Sequence, residues 1–377
     1  MKSPICEMLG IDFPLVAFSH CRDVVAAVSR AGGFGVFGAA NQSPESIDQE
    51  LKWIDDHVDG KPYGIDVLIP ENMATAGEKN VTYNSLESRV PPQHRKYAKD
   101  LLAKYGIEFD YTRAPNDRPQ PFDPARAIDV LEAAFAHPIR LIANALGVPP
   151  SQMIEMGRKH EVPVAALVGA KEHALRQVAA GVDILVVQGG EAGGHCGEVS
   201  TIVLVPEVVR AIKPIRDVPV LAAGGIMNGR QMAACMAMGA AGVWTGSVWL
   251  ATVESETSEI FREKMIAASS RDAVRSRGRT GKPARQLRSV WTDAWDRSPD
   301  SPGALPMPLQ TLVSTEAFRA IDRAAAGGNQ RARELVSYFV GQGVGMIDGV
   351  KSAGSVVQEF KAEFIEAVEH MNELVAE

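Results

Sequence analysis

The stretch Asp183–His195, which reads DILVVQGGEAGGH, decides the fold. Its first half is a run of apolar and β-branched residues that is typical of a buried strand. The strand ends in four glycines, a carboxylate and a histidine, and glycines let backbone amides approach a flat or anionic ligand closely. His195 adds a group that exchanges a proton near neutral pH. We predict a ligand platform here, the alternative being a flexible turn with a surface histidine.

Two later stretches repeat this pattern of a strand followed by glycine. Pro219–Ile226 (PVLAAGGI) ends in paired glycines, and Ala241–Ser247 (AGVWTGS) ends in glycine and a hydroxyl. Between them, Asn228 is a good N-cap for a helix over Gly229–Met238. Unpaired amides and the helix dipole both favour an anion, and barrels commonly bind phosphate after their last two strands. The sequence therefore predicts a phosphate cradle.

Strand-like and helix-like segments alternate along the first half of the chain. The predicted strands before Asp183 are Pro14–Phe18, Phe34–Phe37, Tyr63–Ile69, Arg140–Asn144 and Val164–Val168, and the predicted helices are Asp23–Ala31, Pro44–His57, Ser151–His160 and Lys171–Ala180. Such alternation implies parallel strands with helical crossovers. With the three strands above, the count is eight, so we predict an α/β fold, the (β/α)8 TIM barrel. The alternative, a doubly wound sheet, lacks its glycine fingerprint after the first strand.

Two stretches interrupt the alternation. Residues from about 70 to 124 are polar and rich in proline, and we predict an insertion after the third strand with a helix over Gln93–Tyr105. The insertion could form a lid, a substrate wall, an interface or a plain surface loop. We expect the barrel over residues 1–268 and a mostly helical C-terminal extension, packed on the barrel, over residues 269–377. Its predicted helices are Leu309–Ala326, Gln330–Phe339 and Ser355–Val375.

Composition excludes several classes of protein. A net charge of −7 over 377 residues argues against nucleic-acid binding. The four cysteines have neither CxxC nor zinc spacing, so we expect no metal site and a reducing, cytoplasmic location. We also expect neither a secretion signal nor membrane insertion, because the N-terminus lacks an apolar segment and the apolar run 218–251 is broken by glycines. Homo-oligomers are common among enzymes, but no stretch specifies an interface.

A cluster of basic residues lies within the extension. Its members are Arg271, Arg275, Arg277, Arg279, Lys282, Arg285 and Arg288. Such a run is usually a solvated surface, and we predict that here. The alternative is an anion site for the phosphates of a nucleotide or coenzyme A, because arginine pairs well with phosphate.

The motif Glu191–His195, followed by Gly197, resembles the signature of the nitronate monooxygenase family, formerly called 2-nitropropane dioxygenases. Other segments similar to family elements are Ala26–Gly35, Ala222–Ile226 with Gly246–Ser247, and Gly341–Gly345. The family shares its barrel with flavin-dependent enoyl-acyl-carrier-protein reductases and NADH:quinone reductases. The resemblance covers most of the chain and is more specific for fold and cofactor than for substrate.

The resemblance implies FMN across the mouth of the barrel, with its phosphate on the amides of Gly224, Gly225, Gly246 and Ser247. The full implied set of cofactor-binding residues is Ala17, Phe18, Ser19, Asp66, Gln188, Gly193, Gly194, Ser200, Thr201, Ala223, Gly224, Gly225, Gly246 and Ser247. Asp66 stands where the family usually has an asparagine. An ionised carboxylate cannot donate the hydrogen bonds of an amide, so we expect Asp66 to accept from the ring or the ribityl chain.

His195 is the predicted catalytic residue. On a nitroalkane it would take the proton next to the nitro group, and on a nitronate it would, if protonated, hold the anion. The resemblance implies oxidation of these small-molecule substrates with O2 to a carbonyl compound and nitrite. The alternatives are an NAD(P)H-dependent flavin reductase for an enoyl thioester or quinone, and a noncatalytic flavin-binding protein. His20 is a candidate substrate ligand, the alternative being a loop residue without a role.

Overall fold

A computed structural model describes residues 1–40, 42–69, 83–111 and 126–376. Eight parallel strands close a barrel: β1 Leu15–Ser19, β2 Phe34–Gly38, β3 Tyr63–Val67, β4 Ile142–Asn144, β5 Val164–Val168, β6 Ile184–Gln188, β8 Val220–Ala223 and β9 Gly242–Thr245. Pairing of Leu15 with Val243 closes the ring between β1 and β9. The predicted (β/α)8 TIM barrel is confirmed, and each predicted strand is present with small shifts at its ends.

Helices cover the outside of the barrel. They are α2 Arg22–Arg30, α3 Pro44–His57, α6 Arg126–Phe135, α7 Ser151–His160, α8 Lys171–Ala180, α9 Thr201–Ile212 and α10 Gly229–Ala237. The bounds of α3 are as predicted because Ser43 caps the amide of Ser46 and proline occupies the first turn. The sequence analysis missed α9, whose apolar run contains Pro206.

The inside of the barrel has its own apolar core. Helix α1 (Pro4–Leu9) contributes Ile5 and Leu9 to a cluster with inward residues such as Val16, Phe34 and Val186. Successive side chains of a strand point to opposite faces, so the members of this cluster show which positions of each strand point inward. The inward residues nearest the carboxyl ends of the strands are Phe18, Asp66, Leu167, Gln188, Ala223 and Trp244, which we call the upper layer. The open end above it is the barrel mouth.

The insertion and the extension form a second apolar core. Helices α4 (Tyr83–Glu87) and α5 (Pro92–Lys104) lie between β3 and β4 in the chain, and Leu102 of α5 packs in one cluster with Trp291 and Val313. The later elements are α11 Glu259–Ile266, β10 Ala273–Ser276, β11 Ala284–Leu287, α12 Val290–Arg297, α13 Leu309–Ala326 and α14 Ala353–Val375. None of the described helices has the length and apolar composition that a membrane crossing needs.

The predicted helix over Gln330–Phe339 is wrong. Only a single 3-10 turn, Ala332–Glu334, forms there. The carbonyl of Tyr338 accepts a hydrogen bond from the amide of Leu287 (3.0 Å), and Phe339 forms a bridge with Gln286. Extended pairing with β11 therefore replaces helical hydrogen bonds in this segment.

Candidate active site

A short strand outside the barrel positions His195. Strand β7 (Gly194–His195) pairs antiparallel with β11, His195 opposite Ala284 and Gly194 opposite Arg285. Gly194 has a φ of +74°, a left-handed conformation that suits glycine. The sequence analysis missed this pairing because a two-residue strand has no periodicity and its partner lies far along the chain. The C-terminal extension, through β11, therefore holds the backbone of His195 in position from outside the barrel.

A threonine of the extension contacts the imidazole. His195 Nε2 lies 2.8 Å from Thr280 Oγ1, and the Thr280 hydroxyl also lies 3.2 Å from the carbonyl oxygen of Lys282. A hydroxyl has a single proton to donate. Both contacts are satisfied when Thr280 donates to Lys282 and accepts from His195 Nε2–H. In this arrangement Nδ1 is the basic nitrogen of the neutral ring.

The surroundings of His195 favour the neutral imidazole. Burial lowers the pKa of His195 to about 4, and the nearby Lys282 ammonium contributes in the same direction. His195 also keeps part of its surface exposed to solvent. Lys282 itself makes no ion pair with a described residue. The site thus places the imidazole beside a cation that has no ion-pair partner in the part of the chain that the structure describes.

Two of the basic residues are internal, so the predicted solvated surface is wrong for them. Buried Arg285 donates Nε–H to the Gly190 carbonyl (2.8 Å) and Nη1–H to the Ala273 carbonyl (2.6 Å). The guanidinium of Arg279 lies over the ring of Phe318, 3.6 Å from its centroid. Both therefore stabilise the loops that carry His195 and Thr280.

The predicted phosphate loops leave their amides available. Gly224 and Gly225 have φ angles of +108° and +71°, so their amides turn out of the strand direction. The backbone amides of Gly224, Gly225, Gly246 and Ser247 donate no hydrogen bond to any described residue. A Cβ built on Gly246 would meet no heavy atom within 4 Å. Free amides beside open space are what an anionic phosphate requires.

The backbone amides of Gly229 and Gln231 at the N-terminus of α10, in contrast, already have hydrogen-bond acceptors within the protein. Asn228 Oδ1 accepts from the amide of Gln231 (2.9 Å), and Glu363 Oε2 of α14 accepts from the amide of Gly229 (3.0 Å). The predicted N-cap role of Asn228 is confirmed. The loop amides, rather than this helix terminus, are the donors left for a ligand.

Thr201 and Glu191 join the two glycine loops. The Glu191 carboxylate accepts from the amide of Thr201 (2.9 Å) and from its hydroxyl (3.0 Å). The same hydroxyl lies 3.2 Å from the Ala223 carbonyl and 3.1 Å from that of Gly224. Ser200 is the N-cap of α9 and makes no side-chain cap. Glu191, in the motif, therefore caps α9 and fixes the loop geometry.

The end of β1 contributes aromatic and imidazole groups. Phe18 stacks on Trp244 in the upper layer, with centroids 6.2 Å apart. His20 Nδ1 lies 2.7 Å from the Gly38 carbonyl, and a Cβ on Gly38 would meet that nitrogen at 2.6 Å. Ala17 packs into the outer core, and the Ser19 hydroxyl accepts from the Cys21 amide. The side chains of Ala17 and Ser19 are therefore engaged by the protein itself.

Asp66 is the buried acid of the upper layer. It is 4% exposed, and its Oδ1 has no hydrogen-bond partner among the described residues. Burial raises the pKa of Asp66 to about 8. Gln188 lies in the same layer at the end of β6. Asp66 Oδ1, at this polar part of the upper layer, is therefore available to hydrogen-bond a ligand at the barrel mouth.

The C-terminal segment Gly341–Gly345 closes the mouth on one side. The Gly341 amide donates to Ser247 Oγ (2.8 Å), and the Gln342 amide donates to the Glu191 carbonyl (2.8 Å). A Cβ on Gly193 would meet the Gly341 nitrogen at 2.9 Å, so glycine is needed at this close approach.

Within the described ranges, no cluster of three or more His, Cys, Asp or Glu could hold a metal ion.

The chain is similar to several known proteins. The family model described as nitronate monooxygenase matches residues 2–363. A Mycobacterium tuberculosis protein provisionally named as a monooxygenase is 52% identical, with 100% of both chains covered. A Staphylococcus saprophyticus protein provisionally named as a nitronate monooxygenase is 27% identical over 80% of this chain and 84% of the relative.

Two solved structures share the fold across the chain. Nitroalkane oxidase from Streptomyces ansochromogenes is 25% identical, has a TM-score of 0.77, and covers 97% of this chain and 99% of its own. FabK from Thermotoga maritima is also 25% identical, with a TM-score of 0.70 and 100% of both chains covered. The similarity therefore extends beyond the barrel to the described part of the insertion and to the extension.

Proposed function

The chain belongs to the nitronate monooxygenase family, an oxidoreductase family, and we propose that it is an FMN-dependent enzyme that oxidises alkyl nitronates and nitroalkanes with O2. The products would be a carbonyl compound and nitrite. The observation that carries this proposal is that four loop amides without a partner among the described residues and the Thr280-bonded His195 follow strands β6, β8 and β9 at the same end of the barrel.

The residues at the mouth fit FMN. Its phosphate would take the amides of Gly224, Gly225, Gly246 and Ser247, because an anion there gains donors that otherwise lack partners. Its ring system would lie over the upper layer, whose Phe18 and Trp244 supply apolar area and whose Asp66 and Gln188 supply polar atoms. When bound, FMN would supply the electron transfer between substrate and oxygen.

His195 acts as the general base in this proposal. Nδ1 takes the proton from the carbon next to the nitro group of a nitroalkane, while Thr280 holds Nε2–H. A lowered pKa keeps the ring unprotonated at neutral pH, so that Nδ1 is free to accept a proton. The imidazolium formed in this step is stabilised by the adjacent nitronate anion, because an opposite charge favours the protonated ring. With a preformed nitronate this proton transfer is not needed.

Lys282 supplies a positive charge that attracts the anionic nitronate. Its ammonium is close enough to lower the pKa of His195, and it lacks a carboxylate partner among the described residues. An unpaired cation next to the base attracts a nitronate and stabilises the negative charge that forms on the nitro oxygens. His20, on the other side of the mouth, has Nδ1 engaged with Gly38 and presents Nε2 as a second polar atom.

The second candidate function is an NAD(P)H-dependent flavin reductase for an enoyl thioester or a quinone. The observation that favours it is the match to FabK over the whole length of both chains. In this reading the upper layer would be the same, but the electrons would come from a pyridine nucleotide.

Anaerobic stopped-flow absorbance separates the two functions. The FMN-loaded protein is mixed with propyl 1-nitronate, NADH or NADPH in separate experiments. We expect the flavin absorbance to change with the nitronate and to stay constant with both nucleotides. Rapid loss of the flavin absorbance with NADH or NADPH, and none with the nitronate, would replace the proposal by the reductase.

A further inference from the structure

We propose that Asp66 binds the flavin as a neutral carboxylic acid that donates a hydrogen bond to it, as an amide at this position would. The inference rests on the proposed FMN site and assigns a protonation state and a hydrogen-bond direction to one of its residues. It replaces the expectation from the sequence, in which Asp66 is an ionised acceptor.

The position of Asp66 directs it to the cofactor. Tyr63, Ile65 and Val67 of β3 face the outer core, so Asp66 faces inward at the carboxyl end of the strand. The side chain is 4% exposed, and Oδ1 has no partner among the described residues. A buried polar atom without a partner is costly, which makes a ligand at the mouth the natural source of one.

No charged group of the described structure stabilises an ionised Asp66. Burial is the single cause of its raised pKa, with no contribution from a cation. On the β4 side, Asn144 is occupied: its Nδ2 bonds the Ile69 carbonyl (3.1 Å) and its Oδ1 accepts from the Ile69 amide (2.9 Å). On the β2 side, Gly38 is opposite Asp66, and its carbonyl engages His20.

The outer face of β3 carries the other titratable groups nearby. Tyr63 donates to Asp55 Oδ1 (2.5 Å), and His137 Nδ1 lies 2.7 Å from Asp55 Oδ2. These groups bond one another on the opposite side of the strand from Asp66. The inward carboxyl therefore has no charged partner among the described residues, and its burial favours the neutral form.

A bound flavin would strengthen this preference. It would cover the small part of Asp66 that is exposed, and its ring and ribityl oxygens and nitrogens offer acceptors for a carboxyl proton. A hydrogen bond donated by the acid stabilises the protonated form, so binding of FMN would take up or retain a proton at Asp66. An ionised acceptor would have the opposite linkage and would release a proton on binding.

The test is the pH dependence of FMN affinity in wild type and Asp66→Asn. Dissociation constants are measured by quenching of flavin fluorescence from about pH 6 to about pH 9. The ratio of the wild-type to the Asp66→Asn constant isolates Asp66, because the titrations of FMN itself are common to both proteins. We expect this ratio to rise with pH, by up to about tenfold per pH unit within the titration range. Asp66→Leu should weaken binding at every pH.

Controls keep the outcome unambiguous. Asp56→Asn, which removes a carboxylate on the exposed face of α3, should follow the wild-type curve. Infrared difference spectra should show the carbonyl band of a protonated carboxyl in FMN-bound wild type at neutral pH and not in Asp66→Asn. A ratio that is constant or falls with pH overturns the inference. Absence of FMN binding in every variant instead removes the proposed function, and the inference with it.

Discussion

His195 Nε2 and Thr280 Oγ1 lie 2.8 Å apart although 85 residues separate them in the chain. The contact joins the strand-end motif to the extension, through the pairing of β7 with β11. It fixes which nitrogen of the imidazole remains basic. The extension is therefore part of the proposed catalytic site, and changes in it should alter proton transfer.

Replacing Thr280 tests this contact. Thr280→Val keeps the shape but removes the hydroxyl, so the ring loses its fixed orientation and turnover of a nitroalkane should fall by roughly tenfold or more. Thr280→Ser retains the hydroxyl and should stay near wild type. Steady-state rates of oxygen uptake measure the effect, and the FMN dissociation constant should not change. Equal rates for the valine and serine variants would contradict a positioning role.

Replacing Lys282 should move the pH profile. Catalysis by a neutral imidazole is present above its pKa and is lost as the pH falls through it. Lys282 helps to lower the pKa of His195, so Lys282→Met should shift the acid limb of kcat/KM for a nitroalkane to higher pH. The KM for a nitronate should also rise. Lys159→Met, on exposed α7, is the matched control, and an unshifted limb in Lys282→Met would exclude the predicted coupling.

Gly246 tests the phosphate cradle without disturbing the fold. A Cβ there meets no heavy atom within 4 Å, so Gly246→Ala should melt like the wild-type apoprotein while its methyl group enters the space for the phosphate. We expect FMN affinity to fall by about tenfold or more, which is about 1.4 kcal/mol. Gly349→Ala, which has equally open surroundings but is not one of the loop residues whose amides are proposed to bind the phosphate, is the control. Unchanged affinity in Gly246→Ala would place the phosphate elsewhere.

Asp66 should make the apoprotein less stable as the pH rises. Its folded pKa is raised to about 8, above the unfolded value, so the unfolded state loses its proton first and stability falls between about pH 4 and about pH 8. Asp66→Asn lacks this titration. The free energy of unfolding of Asp66→Asn should therefore exceed that of wild type by an amount that grows over this range to about a few kcal/mol. Denaturant melts at several pH values measure it, and a difference independent of pH would rule out the buried acid.

The sequence was sufficient to predict the barrel, but not to predict the surroundings of the residues at the candidate site. Each barrel strand is a local apolar run, so eight of them could be counted, and the glycines after β8 and β9 marked the mouth. The partners of His195 lie in a segment without periodicity. Nothing local marked Thr280, and Lys282 stood out only as one member of a basic cluster. Burial of Asp66, Arg279 and Arg285 depends on packing between distant segments. For that reason the sequence suggested an ionised acceptor and a solvated basic surface.

The most direct test of the account is oxygen uptake by FMN-loaded His195→Asn, with nitroethane and with ethyl nitronate as separate substrates. Removal of the base should lower kcat/KM for nitroethane by roughly a hundredfold or more, the usual contribution of general base catalysis. Because the nitronate needs no deprotonation, its rate should fall much less, and FMN content should match wild type. Equal losses on both substrates, or no loss on either, would contradict His195 as the base.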